Sequence, residues 1–142
     1  PVPVFTNRSV VENAGMASNV ANNVSALGAH CDVWTNENWE NVTKSRYIDD
    51  RTNHMFLRVD NNDDSITDLE LKGSDLDELS DYDAVIISDY NKGFLQEQDI
   101  ARIAKAHPLV LLDSKKQLGD WCKDIAYIKI NGFEYEKTKD QI

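Results

Sequence analysis

The sequence predicts an α/β fold, and three observations carry that prediction. Strand-sized apolar runs recur at Cys31–Trp34, Ala84–Ser88, Leu109–Leu112 and Ala126–Ile130. Helical patterns lie between several of them, so strand and helix alternate. The chain has 142 residues, which suits one compact domain with a sizeable core.

The first element is a glycine turn that runs into a helix over Met16–Leu27. Asn19 and Asn23 lie four apart on one face, and Val20, Val24 and Leu27 form an adjoining apolar stripe. Gly15 lets the backbone approach a ligand closely, and the helix start offers N–H groups to oxygen atoms. The same features equally serve an ordinary turn and a helix packed by its stripe. Further on, Tyr47, Met55, Leu57 and Val59 alternate with a period of two around the polar cluster Asp49–Asn53, which predicts a hairpin. Asn61–Ser65 then reads as an exposed loop, and Asp75–Asp83 as a solvated acidic approach to the next strand. A second helix spans Gln96–Ala106 and ends at His107-Pro108, and a short one is expected over Lys116–Cys122.

Ligands of open α/β sheets gather beyond the carboxyl ends of the strands. Asp89, Asp113 and Asn131 each follow an expected strand, so their polar groups should converge on one rim. Asp89 and Asp113 also suit turns or helix caps. Lys92 and Lys115 could neutralise phosphate oxygens or remain solvated. Asn131 and Glu134 offer an amide and a carboxylate to a hard cation such as Mg2+, and their spacing equally fits a helix N-cap with its third-position partner.

Fifteen Lys and Arg against twenty-five Asp and Glu give a net charge of -10, which repels a phosphate backbone and argues against nucleic-acid binding. No run approaches the length of a membrane span. Cys31 and Cys122 lie far apart with no Cys/His ligand pattern, so free buried thiols in a cytoplasmic setting are expected. Three Asn-x-Ser/Thr triplets carry no weight without a secretory signal. His30, His54 and His107 lack metal-ligand or nucleophile–base spacing and read as structural or surface residues, and Trp34, Trp39 and Trp121 as core or rim packing.

The stretch Ala14–Ala29 resembles the N-terminal signature of the ribokinase-like (PfkB) carbohydrate kinases. Pro1-Val2-Pro3-Val4, Ser88-Asp89-Tyr90-Asn91-Lys92-Gly93, Asp113-Ser114-Lys115 and Asn131 with Glu134 resemble, in order, segments of the heptose-phosphate kinase branch. Thr43-Lys44-Ser45-Arg46 and Arg58-Val59-Asp60 resemble that branch's Thr-Lys-x-Arg and Arg-x-Asp. The resemblance implies a Rossmann-like, ribokinase-type layered sheet with helices, read here as a single partial domain over residues 1–142 with residues 43–60 as a small β-lid hairpin. It implies sugar contacts from Gly15, Asn19, Asn23, Lys44, Arg46 and Arg58. Phosphate contacts fall to Asp89, Asp113, Lys115 and Asn131, and a metal contact to Glu134. ATP and Mg2+ are the implied cofactors, a heptose-phosphate-like sugar the implied substrate, and a homodimer through the lid the implied assembly.

The chain departs from the family in several places. Gly15 stands between Ala14 and Met16 where members carry a glycine pair, and the segment between Trp34 and Thr43 is shorter than theirs. The family's Gly-Ala-Gly-Asp motif, with its catalytic aspartate, does not occur, so no catalytic residue is assigned. The chain opens on Pro1 rather than Met and so reads as trimmed or excised. The expectation is a fragment or reduced relative of an ATP-dependent sugar kinase. The alternatives are a non-catalytic sugar-phosphate-binding or assembly module with the same fold and, more remotely, an unrelated flavodoxin-like domain.

Overall fold

The structure, a computed structural model, describes residue 2 and residues 4–141. The match at Pro1-Val2-Pro3-Val4 therefore lies partly outside the described residues. The chain divides into two units, Pro1–Val33 and Trp34–Ile142.

The first unit contains one helix, α1 (Gly15–Ala26). Gly15 enters it at φ +77°, and Gly28 leaves it at φ +89° with its N–H on the Ser25 carbonyl, a left-handed C-terminal turn that glycine alone adopts without strain. The expected stripe is not a core: no residue of α1 is buried, and Leu27 is 88% exposed. A unit this short cannot enclose its own apolar surface. Cys31–Trp34, expected as a strand, forms none.

The second unit is mixed α/β and holds two separate sheets. Strands β1 (Thr43–Ile48) and β2 (Met55–Asn61) pair antiparallel, with Lys44 opposite Asp60, Arg46 opposite Arg58 and Tyr47 opposite Leu57. This is the expected hairpin. Its turn is held by the Asp49 carboxylate, which accepts the Arg51 N–H at 2.8 Å, and by Asn53 at φ 55°. Side chains alternate across a strand, so Lys44, Arg46, Arg58 and Asp60 share one face, while Tyr47, Leu57 and Val59 share the other.

Helix α2 (Gly73–Glu78) and a short 3-10 turn at Leu79–Asp81 occupy the acidic stretch that the sequence suggested was simply solvated. The Asp75 carboxylate accepts the Lys72 N–H at 2.7 Å and so starts α2. The chain then enters β3 (Val85–Asp89), crosses through α3 (Glu97–Ala106) and continues through β4 (Val110–Ser114), β5 (Tyr127–Lys129) and α4 (Gly132–Thr138). The strands are parallel in the order β3-β4-β5. Between β4 and β5 the expected helix reduces to a 3-10 turn at Asp120–Cys122.

Helix α3 buries Ile100, Ile103 and Ala104, a spacing that puts one face on the sheet. With Leu71, Leu79, Leu95, Leu118 and Cys122 it covers the row Ile87–Leu112, and Ile128 lies next in that row. Trp34 and Trp121 pack at the edge of this core, whereas Trp39 is 42% exposed. His107 is buried and structural: its Nε2 lies 2.9 Å from the Tyr82 carbonyl, and its Nδ1 accepts the Leu109 N–H at 3.1 Å. Cys122 is a buried free thiol, and Cys31 is a half-buried one.

Candidate functional site

The carboxyl ends of β3, β4 and β5 form one rim, as expected, but register sorts its side chains onto two faces. Asp89 pairs with Ser114 in register, and both are buried on the core side. Ser88 pairs with Asp113, and Asp113 with Lys129, on the opposite side. Asp89 and Asp113, both assigned to phosphate, therefore point away from each other across the sheet.

Asp89 is fully engaged. Its Oδ2 accepts the Ser114 hydroxyl at 2.6 Å and pairs with the Lys116 ammonium at 2.9 Å, and its Oδ1 accepts the Asn91 N–H at 2.9 Å. The Lys116 and Asp89 side chains are only 7% and 3% exposed. The sequence reading missed Lys116. Its one available signal was the second lysine in Asp113-Ser114-Lys115-Lys116, directly after a strand end. On the other face Asp113 pairs with Lys129 at 3.0 Å, also unforeseen.

The third cluster sits at the start of α4. Asn131 and Glu134 form a complete capping box: the Asn131 side chain accepts the Glu134 N–H, and the Glu134 carboxylate accepts the Asn131 N–H, both at 2.9 Å. The other Glu134 oxygen is ion-paired with Lys115. The Lys115 ammonium and then the Asn131 N–H hold the Glu134 carboxyl below its ordinary pKa, and the same pairing raises Lys115. Asp113 and Tyr90 lie close enough to add to the rise of Lys115.

Magnesium would need carboxylates of its own, beside phosphate oxygens and water. Among the described residues no group of three or more His, Cys, Asp or Glu side chains could hold a metal ion, and each Glu134 oxygen has one partner, Lys115 or the Asn131 N–H.

In the hairpin, Arg58 grips Asp60 with two nitrogens, at 2.9 and 3.0 Å. Lys44 pairs with Asp60 at 3.3 Å and with Asp63 at 2.9 Å. Arg46 stands opposite Arg58 on the same face, an unfavourable cross-strand pair of like charges. In α1, the Gly15 N–H is held by the Asn13 side chain at 3.0 Å, and the Asn23 amide donates to the Asn19 carbonyl at 2.8 Å. A cleft of about 310 Å³ is lined by Asn91, Gln96, Glu97, Gln98, Lys116 and Gln117, and a more apolar one of about 560 Å³ lies along Leu118, Ile128, Ile130 and Tyr135. Neither takes its walls from the expected sugar or phosphate contacts.

This chain is similar to curated proteins named bifunctional protein HldE. It is 32% identical to that of Helicobacter pylori over 148 positions, covering 81% of this chain and 32% of the relative. It is 29% identical to that of Helicobacter acinonychis, covering 97% and 37%, and 30% identical to that of Histophilus somni, covering 81% and 30%. The chain thus spans about a third of the length of the curated relatives it matches. In the first comparison 148 positions take up 81% of 142 residues, about 115, so about 33 positions of the relative face no residue here. The second comparison leaves the same shortfall, with 171 positions against 97% of the chain, about 138 residues. No protein-family profile matches the chain, and no solved structure does. Among the described residues no helix is long and apolar enough to cross a membrane.

Proposed function

We propose that this chain is the lid and part of the phosphate rim of a ribokinase-like sugar kinase of the heptose-phosphate type, and that it contacts a sugar phosphate. The observation that carries the reading is the convergence of three motif-bearing segments, ending in Asp89, Asp113–Lys115 and Asn131, on the carboxyl ends of three adjacent parallel strands. Similarity to HldE proteins along most of the chain supports it. In this reading Gly15, Asn19 and Asn23 meet sugar hydroxyls. Lys44, Arg46 and Arg58 on the charged hairpin face meet the sugar's phosphate, and Lys115 and Asn131 serve the transferred group. ATP would supply the phosphoryl group. This chain's own part is to bind and orient the acceptor.

Heptose 7-phosphate titrated into the labelled chain tests the reading. It should shift the Gly15 and Asn19 amides together with those of Arg46 and Arg58, and Asn19→Ala should weaken binding without unfolding the chain. Shifts confined to Lys115 and Asn131 would mean a phosphate site without a sugar site and would defeat it. Purified chain should show no sugar-dependent ADP release in a coupled assay, because positioning and charge stabilisation supply most phosphoryl-transfer catalysis and the Gly-Ala-Gly-Asp element is not in the sequence.

The second reading, a non-catalytic module of the same fold, is favoured by the ion pairing of the rim. Lys115, Lys116 and Lys129 are each matched by a carboxylate, which leaves less positive charge for a nucleotide. A pairing of two lids through Tyr47, Leu57 and Val59 fits either reading.

A further inference from the structure

Two lysines from different elements meet at one oxygen. Lys44 belongs to β1, Lys92 to the loop after β3, and both ammonium groups lie 2.9 Å from Oδ2 of Asp63. The two nitrogens are therefore no more than twice that distance apart, a gap that one tetrahedral anion can bridge. Lys44 has a second carboxylate, Asp60, at 3.3 Å. The hairpin forms a sheet of its own, separate from β3-β4-β5, so Asp63 ties its base to the rim loop. The loop conformation is set by Asn91 at φ 54° and Gly93 at φ 103°. Further bonds hold the Asp63 segment. The Asn62 side chain donates to the Asn41 carbonyl at 2.9 Å, and the Asn38 side chain to the Ser65 carbonyl at 2.6 Å.

We propose that Lys44 and Lys92 form an anion site between the lid hairpin and the rim loop, that the Asp63 carboxylate fills this site in the free chain, and that a phosphate dianion competes with it. The proposal rests on the sugar-phosphate reading for its biological ligand and adds Lys92 and a built-in competitor to it. An ammonium pair already arranged around a carboxylate oxygen is arranged for a phosphate oxygen, which is the stronger acceptor and carries more charge. The pairing also leaves its mark on titration: Lys44, and secondarily Lys92, hold Asp63 below its ordinary pKa, and Asp63 raises Lys44. Displacing Asp63 breaks the ionic tie between hairpin and loop, so anion binding and lid position are coupled.

Inorganic phosphate, titrated at constant ionic strength and followed by amide shifts of Lys44 and Lys92, provides the test. Asp63→Asn removes the competing charge with little change of shape and should tighten phosphate binding by about tenfold over the parent chain. Asp63→Asn with Lys92→Ala should return affinity to the parental level. Asp64→Asn makes the same change in net charge one residue away and should leave affinity within about twofold, since only screened, longer-range charge is altered. Equal tightening by Asp64→Asn, or no tightening by Asp63→Asn in a chain whose hairpin amides remain dispersed, would overturn the proposal. Failure of the heptose 7-phosphate titration alone would remove the sugar reading and leave the inorganic phosphate result standing.

Discussion

Both Asp89 oxygens are engaged: a lysine and a hydroxyl share one, and a turn N–H binds the other. A buried carboxylate with this many partners is a structural post first, whatever its motif suggests. Removing one member of a buried ion pair strands the other charge and costs about 3–5 kcal/mol, while replacing both by apolar groups is often close to neutral. Asp89→Ala should therefore lower the urea midpoint sharply, and Asp89→Ala with Lys116→Met should recover most of the loss. Asp113→Asn, which breaks a pair whose side chains are 43% and 70% exposed, should change stability by about 0–1 kcal/mol. Comparable urea midpoints for Asp89→Ala and Asp113→Asn would show that burial does not set the roles of these two aspartates. The sequence placed both residues at strand ends correctly. It did not show their opposite faces, because facing depends on the β3–β4 register, nor the Lys116 partner, which lies 27 positions from Asp89.

At the scale of elements, periodicity was legible wherever an element makes its own case. Helix α1, the hairpin, β3, α3, β4 and β5 all lie within a few residues of their expected places. Cys31–Trp34 has the composition of a strand, yet a strand needs a neighbour to bond and no ladder forms there. Helix α2 was missed because its acidic residues mask a short apolar face, Leu76 and Leu79, that pays off only against the core. The α4 start is the best-read junction, since Asn-x-x-Glu encodes its own cap. Asn131→Ala should cost about 1 kcal/mol and speed amide exchange in α4 without affecting β4. The sign of the pH effect follows from the two shifts. Glu134 is lowered from 4.5, so its contribution is present above that value and is lost as pH falls through the lower folded pKa. Lys115 is raised from 10.5, so its contribution is present below that value and is lost above the higher folded pKa. Protection of the α4 amides, taken as their exchange rate relative to the intrinsic rate at the same pH, should be greatest between these limits, and protection that stays flat on acidification below pH 4 would argue that the pair does not hold the helix. The hairpin's second face, with Leu57 at 47% and Val59 at 37% exposure, should pair with a like face, so sedimentation should show a concentration-dependent dimer that Leu57→Lys abolishes.

At the largest scale, the second unit by itself covers its parallel sheet on one side. Ile86, Leu111 and Tyr127 stand in register across β3, β4 and β5, directly behind the buried Ile87 and Leu112 and the partly buried Ile128. Ile86 is 48% and Tyr127 65% exposed, and Leu109 beside them is 37% exposed. Parallel sheets ordinarily carry helices on both faces, and their strands read as continuous apolar runs for that reason. The runs at Ala84–Ser88 and Leu109–Leu112 do read that way, so the sequence announces a doubly covered sheet that the second unit covers only once. The curated relatives have about 33 positions with no counterpart here, and this chain spans about a third of their length. A bare apolar row should bind a hydrophobic dye in the native state, with far-UV circular dichroism unchanged. Ile86→Lys with Tyr127→Lys places two charges in that row without touching the core side, and should remove most of the dye fluorescence while keeping the unfolding midpoint within about 1 kcal/mol, as for other exposed substitutions. Dye binding that survives the double substitution would place the exposed apolar surface elsewhere, with the hairpin's Leu57 and Val59 face the next to test by the same substitution.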